Sequence, residues 1–182
     1  IAHKIPTLPY QLLSNRNDKL NKSLKYPLMV KPVSEGSSAG ITNKSVVHNE
    51  ISLYKQINYI ESTFREQALV EPYLEGREFS VAMLGNPPKI LPILESDHSM
   101  LPKKYLPFDS LEVKWFYELE TSGKHLKCPA KISQSLETKI NKICLELWSA
   151  LGIRDWCRID IRCDKKNNPY VLEVNSPPGC TP

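Results

Sequence analysis

The chain has 182 residues, 41% hydrophobic and 24% charged, ordinary globular usage that excludes a disordered polypeptide and, at about 150 residues per domain, allows one compact unit or two small ones. The net charge of +4, from 24 Lys and Arg against 20 Asp and Glu, is too small and too dispersed for a dedicated nucleic-acid binder. No apolar run approaches the roughly 20 residues of a membrane span, and Ile1-Ala2-His3-Lys4 carries no signal-peptide core. Cys128, Cys144, Cys157, Cys163 and Cys180 are odd in number and lack a Cys-x-x-Cys pair, so neither a disulfide framework nor a thiolate zinc site is expected and a reducing cytoplasm fits. A start without Met and an end just past Pro177-Pro178-Gly179 read as a fragment of something longer.

In chain order, prolines from Pro6 mark an extended lead-in to Tyr10, and Pro27-Leu28-Met29-Val30 reads as a short buried strand ending at Lys31-Pro32. The small-residue segment Glu35-Gly36-Ser37-Ser38-Ala39-Gly40 follows. Between Val47 and Phe64, Ile51, Tyr54, Ile57 and Ile60 recur at helical spacing and predict an amphipathic helix. Ala68 to Glu71 and Glu78 to Leu84 read as strands, with Lys89 to Leu94 as a third after the turn Gly85-Asn86-Pro87-Pro88. Ser96 to Lys127 has no clean period and reads as a long, partly irregular loop. Ser133 is the expected N-cap of a helix whose stripe Leu136, Ile140, Ile143, Cys144, Leu147, Trp148 and Leu151 stops at Gly152. Two strands, Cys157 to Arg162 and Tyr170 to Asn175, form a hairpin across the polar turn Asp164 to Asn168. Interleaved strands and helices give an α+β or α/β class. Trp148 and Trp156 are read as core, and the scattered His3, His48, His98 and His125 are given no ligand role.

Three places offer chemistry. Side chains at i and i+2 of a strand share a face, so Arg158 with Asp160, and Glu173 with Asn175, collect oxygen donors and an arginine on one hairpin. Such donors suit Mg²⁺; a surface hairpin with cross-strand ion pairs fits the same residues. Lys31 before the Glu35–Gly40 segment supplies a charge beside a loop able to wrap phosphates, although the Gly-Lys-Ser/Thr ending of a Walker A loop is missing. Glu71 to Glu78 spaces two carboxylates either side of a Gly turn, able to hold a base and ribose hydroxyls or to be a plain acidic turn.

The order and spacing of these blocks, Val30-Lys31-Pro32, Glu35 to Gly40, Glu71 to Phe79, Cys128-Pro129-Ala130, Arg158-Ile159-Asp160 and Leu172-Glu173-Val174-Asn175-Ser176-Pro177-Pro178-Gly179, resembles an ATP-grasp ligase of the D-alanine–D-alanine ligase family from about Ile5 onward. The resemblance implies an α+β ATP-grasp fold whose two antiparallel-sheet subdomains clasp ATP, a central one over 1–70 and a truncated C-terminal one over 71–182, with the family's N-terminal substrate domain absent. By motif, Lys31 would contact the α- and β-phosphates, Ser37 and Ser38 would close over the terminal phosphate, and Lys114 would belong to the mobile loop above them. Glu71 with the backbone of Tyr73 and Leu74 would hold adenine, and Glu78 the ribose. Asp160, Glu173 and Asn175 match ligands of two Mg²⁺ ions, with Mn²⁺ as a substitute; Arg158 matches the residue facing the oxyanion, and Gly179 the loop that positions the second substrate.

The implied reaction joins two D-alanines for peptidoglycan synthesis: one carboxylate attacks the γ-phosphate, and the amine of the second displaces phosphate from the acyl phosphate. Partners would be ATP and D-amino acids, without nucleic acid or membrane, with a homodimer open for the intact protein. Three departures are expected to matter: Trp115 stands where bacterial members usually carry Tyr, Cys157 where a small residue is common, and Pro177-Pro178 replaces a less rigid pair. Lacking flanking segments, the chain alone is expected to be inactive. Another ATP-grasp amino-acid ligase, and a nucleotide-binding module without ligation, stand as alternatives.

Overall fold

A computed structural model describes residues 4–178. The described residues form two compact units, one of Leu8–Tyr73 with Leu101–Lys124 and the other of Leu74–Met100 with 4–7 and 125–178. The division falls after Tyr73, and 101–124 folds with the first unit although the single boundary expected at 70/71 assigned it to the second. Three hydrogen bonds explain this: Leu111 N–H donates to the Ile41 carbonyl at 2.8 Å, Asn43 Nδ2 to the Lys104 carbonyl at 2.6 Å, and Ser38 Oγ to the Asp109 carbonyl at 2.8 Å.

In the first unit β1 (Gln11–Leu13), β2 (Leu28–Pro32), β3 (Val46–Val47) and β4 (Ala68–Pro72) form an antiparallel sheet in the order β1-β4-β2-β3. Against it packs α1 (Glu50–Phe64), whose N-cap Asn49 accepts from Ser52 N–H at 2.9 Å. The buried stripe of α1 is Leu53, Gln56, Ile57 and Ile60. Of the expected stripe, Ile57 and Ile60 are buried and Tyr54 packs against the same core, whereas Ile51 is 71% exposed in the first turn; Leu53, one turn before Ile57, joins the cluster with Leu28, Val30, Ala68 and Val70. Within 101–124 the chain makes a π turn at Val113–Tyr117 that runs into the one-turn α2 (Glu118–Thr121).

In the second unit β5 (Glu78–Leu84) is central, with β6 (Lys89–Ile90) and β7 (Leu94–Ser96) on one side and β9 (Trp156–Cys163) on the other. The edges are β8 (Leu126–Lys127) and β10 (Pro169–Asn175), giving the order β10-β9-β5-β7-β8. The expected strand Lys89 to Leu94 is two short strands, broken around Pro92, which has no N–H to give a ladder. Helix α3 (Gln134–Ala150) starts at the Ser133 cap and buries Leu136, Ile140, Ile143, Cys144, Leu147 and Trp148. They meet Phe79, Val81 and Met83 of β5 and Cys157, Ile159, Ile161 and Cys163 of β9. Each fully buried aliphatic or aromatic side chain contributes about 1.5–3 kcal/mol, so this alternation fixes which face of β5 and β9 is left for polar side chains. Trp156, expected in the core, is half-buried at the start of β9. Among the described residues no helix is long and apolar enough to cross a membrane.

Candidate functional site

The faces of β5 and β9 turned away from α3 carry Glu78, Ser80, Arg158, Asp160 and Arg162, because β-strand side chains alternate. Strand β10 joins them through a bulge. Pro169, Tyr170 and Val171 pair with Cys163, Arg162 and Ile161, but Glu173, Val174 and Asn175 pair with Asp160, Ile159 and Arg158. Leu172 is therefore an extra residue. If Leu172 paired in register with Asp160, Glu173 would stand opposite Ile159, on the apolar face; because Leu172 bulges out, Glu173 and Asn175 share the face of Arg158 and Asp160.

Asp160, 8% exposed, is the centre of the resulting cluster. Its Oδ1 accepts from Ser80 Oγ and from Arg158 Nε, each at 2.8 Å. Its Oδ2 accepts from Arg158 Nη2 at 2.8 Å and from Asn175 Nδ2 at 3.3 Å. Asn175 Nδ2 also donates to Glu173 Oε1 at 3.0 Å, and Arg158 Nη2 lies 3.7 Å from that oxygen. One amide nitrogen thus bridges two carboxylates, and half a turn of the amide presents Oδ1 alongside them. Oxygen donors of this kind fit a hard divalent cation. The cross-strand pairing considered from sequence and the cation-ligand reading involve the same atoms, with Arg158 supplying the positive charge here.

At the start of β5, Arg162, 5% exposed, donates from Nε to the Leu74 carbonyl at 2.7 Å and from Nη1 to Glu78 Oε2. His98 Nε2 is 3.8 Å from the same carboxylate oxygen, so the histidine left without a role borders a candidate residue. Between Leu74 and Glu78, Gly76 donates its N–H to the Cys163 carbonyl at 3.1 Å, and Cys163 N–H donates to the Arg77 carbonyl at 2.8 Å. A Cβ on Gly76 would press into the carbonyl oxygens of Cys163 and Asp164. Arg77 makes a two-pronged pair with Glu95, 2.6 Å on each side, which with the hydrogen bond to Glu95 as the largest cause raises its pKa further.

The first unit holds the remaining candidates. Lys31 Nζ pairs with Glu71 Oε1 at 2.7 Å, so the residues expected at phosphates and adenine satisfy each other across β2 and β4. Tyr73 N–H donates to the Pro27 carbonyl at 3.1 Å, committing one of the backbone groups expected at adenine. Ser37 and Ser38 both take positive φ, 53° and 60°, an uncommon conformation for residues with a Cβ. Trp115 Nε1 donates to the Ser37 carbonyl at 3.1 Å, which joins the Ser37–Ser38 turn to the segment carrying Lys114. Trp115 thus supplies a hydrogen-bond donor of its own to this turn. Cys157 is buried against α3 and its thiol pKa is pushed up by burial. Gly179 and Cys180 lie outside the described residues.

Arg162 and Ser80 were not singled out from sequence. For Arg162 the signal was the spacing itself, Arg158-x-Asp160-x-Arg162, which puts three polar side chains on one strand face. Ser80 matters only through the pairing of Ser80 with Asp160 between β5 and β9.

The family described as D-ala D-ala ligase C-terminus matches residues 2–182. The uncharacterized protein y4sG of Sinorhizobium fredii is 33% identical over 176 residues, covering 96% of this chain and 49% of that protein. The D-alanine–D-alanine ligase of Halorhodospira halophila is 31% identical over 179 residues, 97% of this chain and 53% of that one. The solved structure of D-alanine–D-alanine ligase from Bacillus anthracis complexed with ATP superposes with a TM-score of 0.68 at 24% identity, covering 99% of this chain and 52% of that one. The chain spans about half the length of the curated relatives it matches, and its α+β fold is that of ATP-grasp ligases. On a match that runs along its whole length, the chain belongs to the D-alanine–D-alanine ligase family, of which it is the C-terminal ATP-grasp portion.

Proposed function

We propose that the chain is the ATP-binding portion of a ligase that joins two D-alanines through an acyl phosphate, in the cytoplasm, for a peptidoglycan precursor. The observation that carries this reading is the bulged β10, which gathers Asp160, Glu173 and Asn175 beside Arg158 in a member of this family. Lys31 and Lys114 neutralise phosphate charge, and the Ser37–Ser38 turn closes over the terminal phosphate. Lys31 and Glu71 hold each other's charge until phosphate and adenine compete for them. Glu71, with the backbone of Tyr73 and Leu74, takes the base, and Glu78 takes the ribose. Asp160, Glu173 and Asn175 would hold Mg²⁺, or Mn²⁺, which supplies the charge neutralisation that phosphoryl transfer needs. Arg158 faces the oxygen that becomes negative as the amine attacks; by motif alone, Gly179 is assigned to the loop that positions the second amino acid.

The test is product analysis with the intact protein given ATP, Mg²⁺ and a mixture of D- and L-amino acids. D-alanyl-D-alanine with one phosphate released per peptide is expected. A different dipeptide or a depsipeptide would reassign the substrates within the ATP-grasp ligases, and ATP bound without any product would make the protein a nucleotide-binding module.

A further inference from the structure

We infer that Arg162 is a positioning residue that sets selectivity for the base and for the ribose of the nucleotide together; the inference rests on the reading of Leu74–Glu78 as nucleotide-binding. The Arg162 side chain, 6% exposed, spans both ends of that segment with one guanidinium, Nε to the Leu74 carbonyl at 2.7 Å and Nη1 to the Glu78 carboxylate. A guanidinium is planar and its donors keep a fixed fork, so the separation of these two acceptors is set by the side chain. The turn between them is held close to β9 by Gly76.

Arg162 and His98 approach the same carboxylate oxygen, Oε2, which fixes the rotation of the Glu78 carboxyl group. A carboxylate in one rotation tells ribose hydroxyls from their absence, and a peptide in one orientation tells base edges apart, because the mismatched ligand leaves buried polar groups unpaired. Both discriminations hang on one side chain. Loss of Arg162 therefore loosens them together, whereas loss of the Glu78 charge loosens only the ribose end.

The experiment measures affinities for ATP, 2′-deoxy-ATP and GTP on the protein and on Arg162→Met, Arg162→Lys and Glu78→Gln, with melting curves for each. The unsubstituted protein prefers ATP over both analogues. In Arg162→Met both preferences shrink by about fivefold or more, the size of a typical coupling between sites, while Glu78→Gln reduces only the preference over 2′-deoxy-ATP. Arg162→Lys, a point donor that cannot span two acceptors, shrinks both preferences as well and decides the matter if the Met variant does not fold. Affinities that fall in proportion, or do not change, leave the ratios intact and overturn the inference while the nucleotide reading stands. An unsubstituted protein that binds none of the three overturns that reading and the inference with it.

Discussion

Replacing Gly76 by Ala tests the packing of the turn that carries Glu78. The added Cβ would sit inside van der Waals contact with the carbonyl oxygens of Cys163 and Asp164, backbone atoms of and just beyond β9 that cannot swing aside as a flexible side chain would. The turn must lift. Lifting it weakens the bonds Gly76 N–H to Cys163 O at 3.1 Å and Cys163 N–H to Arg77 O at 2.8 Å, each worth about 0.5–1.5 kcal/mol net, on top of about 1–3 kcal/mol for overpacking. The expected loss is about 2–6 kcal/mol. Gly36→Ala is the control, because a Cβ there meets nothing within 4 Å, and its effect should stay within about 1 kcal/mol, on the stabilising side if anything. Urea unfolding followed by tryptophan fluorescence measures the stability of both variants, and nucleotide affinity should fall for Gly76→Ala. Equal stabilities for the two would refute the close approach of this turn to β9.

Arg158→Met removes the cation that now answers Asp160, so the affinity for Mn²⁺, read by calorimetry, should rise about tenfold or more, and Asp160→Ala should abolish binding; an unchanged affinity in the first variant would show that Arg158 does not compete with the metal. Iodoacetamide at pH 8 should modify the exposed Cys128 in the folded protein but not Cys144, whose thiol burial pushes up to about 12, nor Cys163, pushed to about 11, nor Cys157; peptide mapping of labelled native protein reads this, and native labelling of Cys144 would contradict the packing of α3. Trp115→Phe removes the donor to the Ser37 carbonyl from a side chain 52% exposed, so stability should change by less than about 1 kcal/mol while amide exchange over 110–117 speeds up. Unchanged exchange there would mean that this hydrogen bond does not hold the segment.

Helix α3 was legible in the sequence because the local signals agreed: the Ser133 cap, the stripe from Leu136 to Trp148 and the stop at Gly152; Leu151, the last residue of the expected stripe, is the C-cap and is 59% exposed. In α1 the same method found Ile57 and Ile60 but put Ile51 in the core and missed Leu53 and Gln56, because only the sheet beneath decides which side chains of the first turns are covered. Gln56 is polar, yet it is buried and donates to Ser45 Oγ at 3.3 Å, which periodicity of apolar residues cannot foresee. The short β1 and β3 have too few residues to show a period and exist through pairing with β4 and β2.

The candidate site divides in the same way. Arg158, Asp160, Glu173 and Asn175 were legible as two pairs, but their union depends on the bulge at Leu172, whose only mark is two adjacent apolar residues, Val171-Leu172, in an alternating strand. The Lys31–Glu71 pair and the reach of Arg162 to Leu74 and Glu78 were not legible, because each links residues brought together by strand register and not by spacing in the chain.

Calorimetric titration of the protein with ATP, with and without Mg²⁺, and of its Glu71→Ala and Asp160→Ala variants, tests the central claim most directly. Metal-dependent ATP binding that both substitutions weaken is the predicted result; a folded protein that binds no ATP in either condition, or binds it equally after both substitutions, would contradict the account.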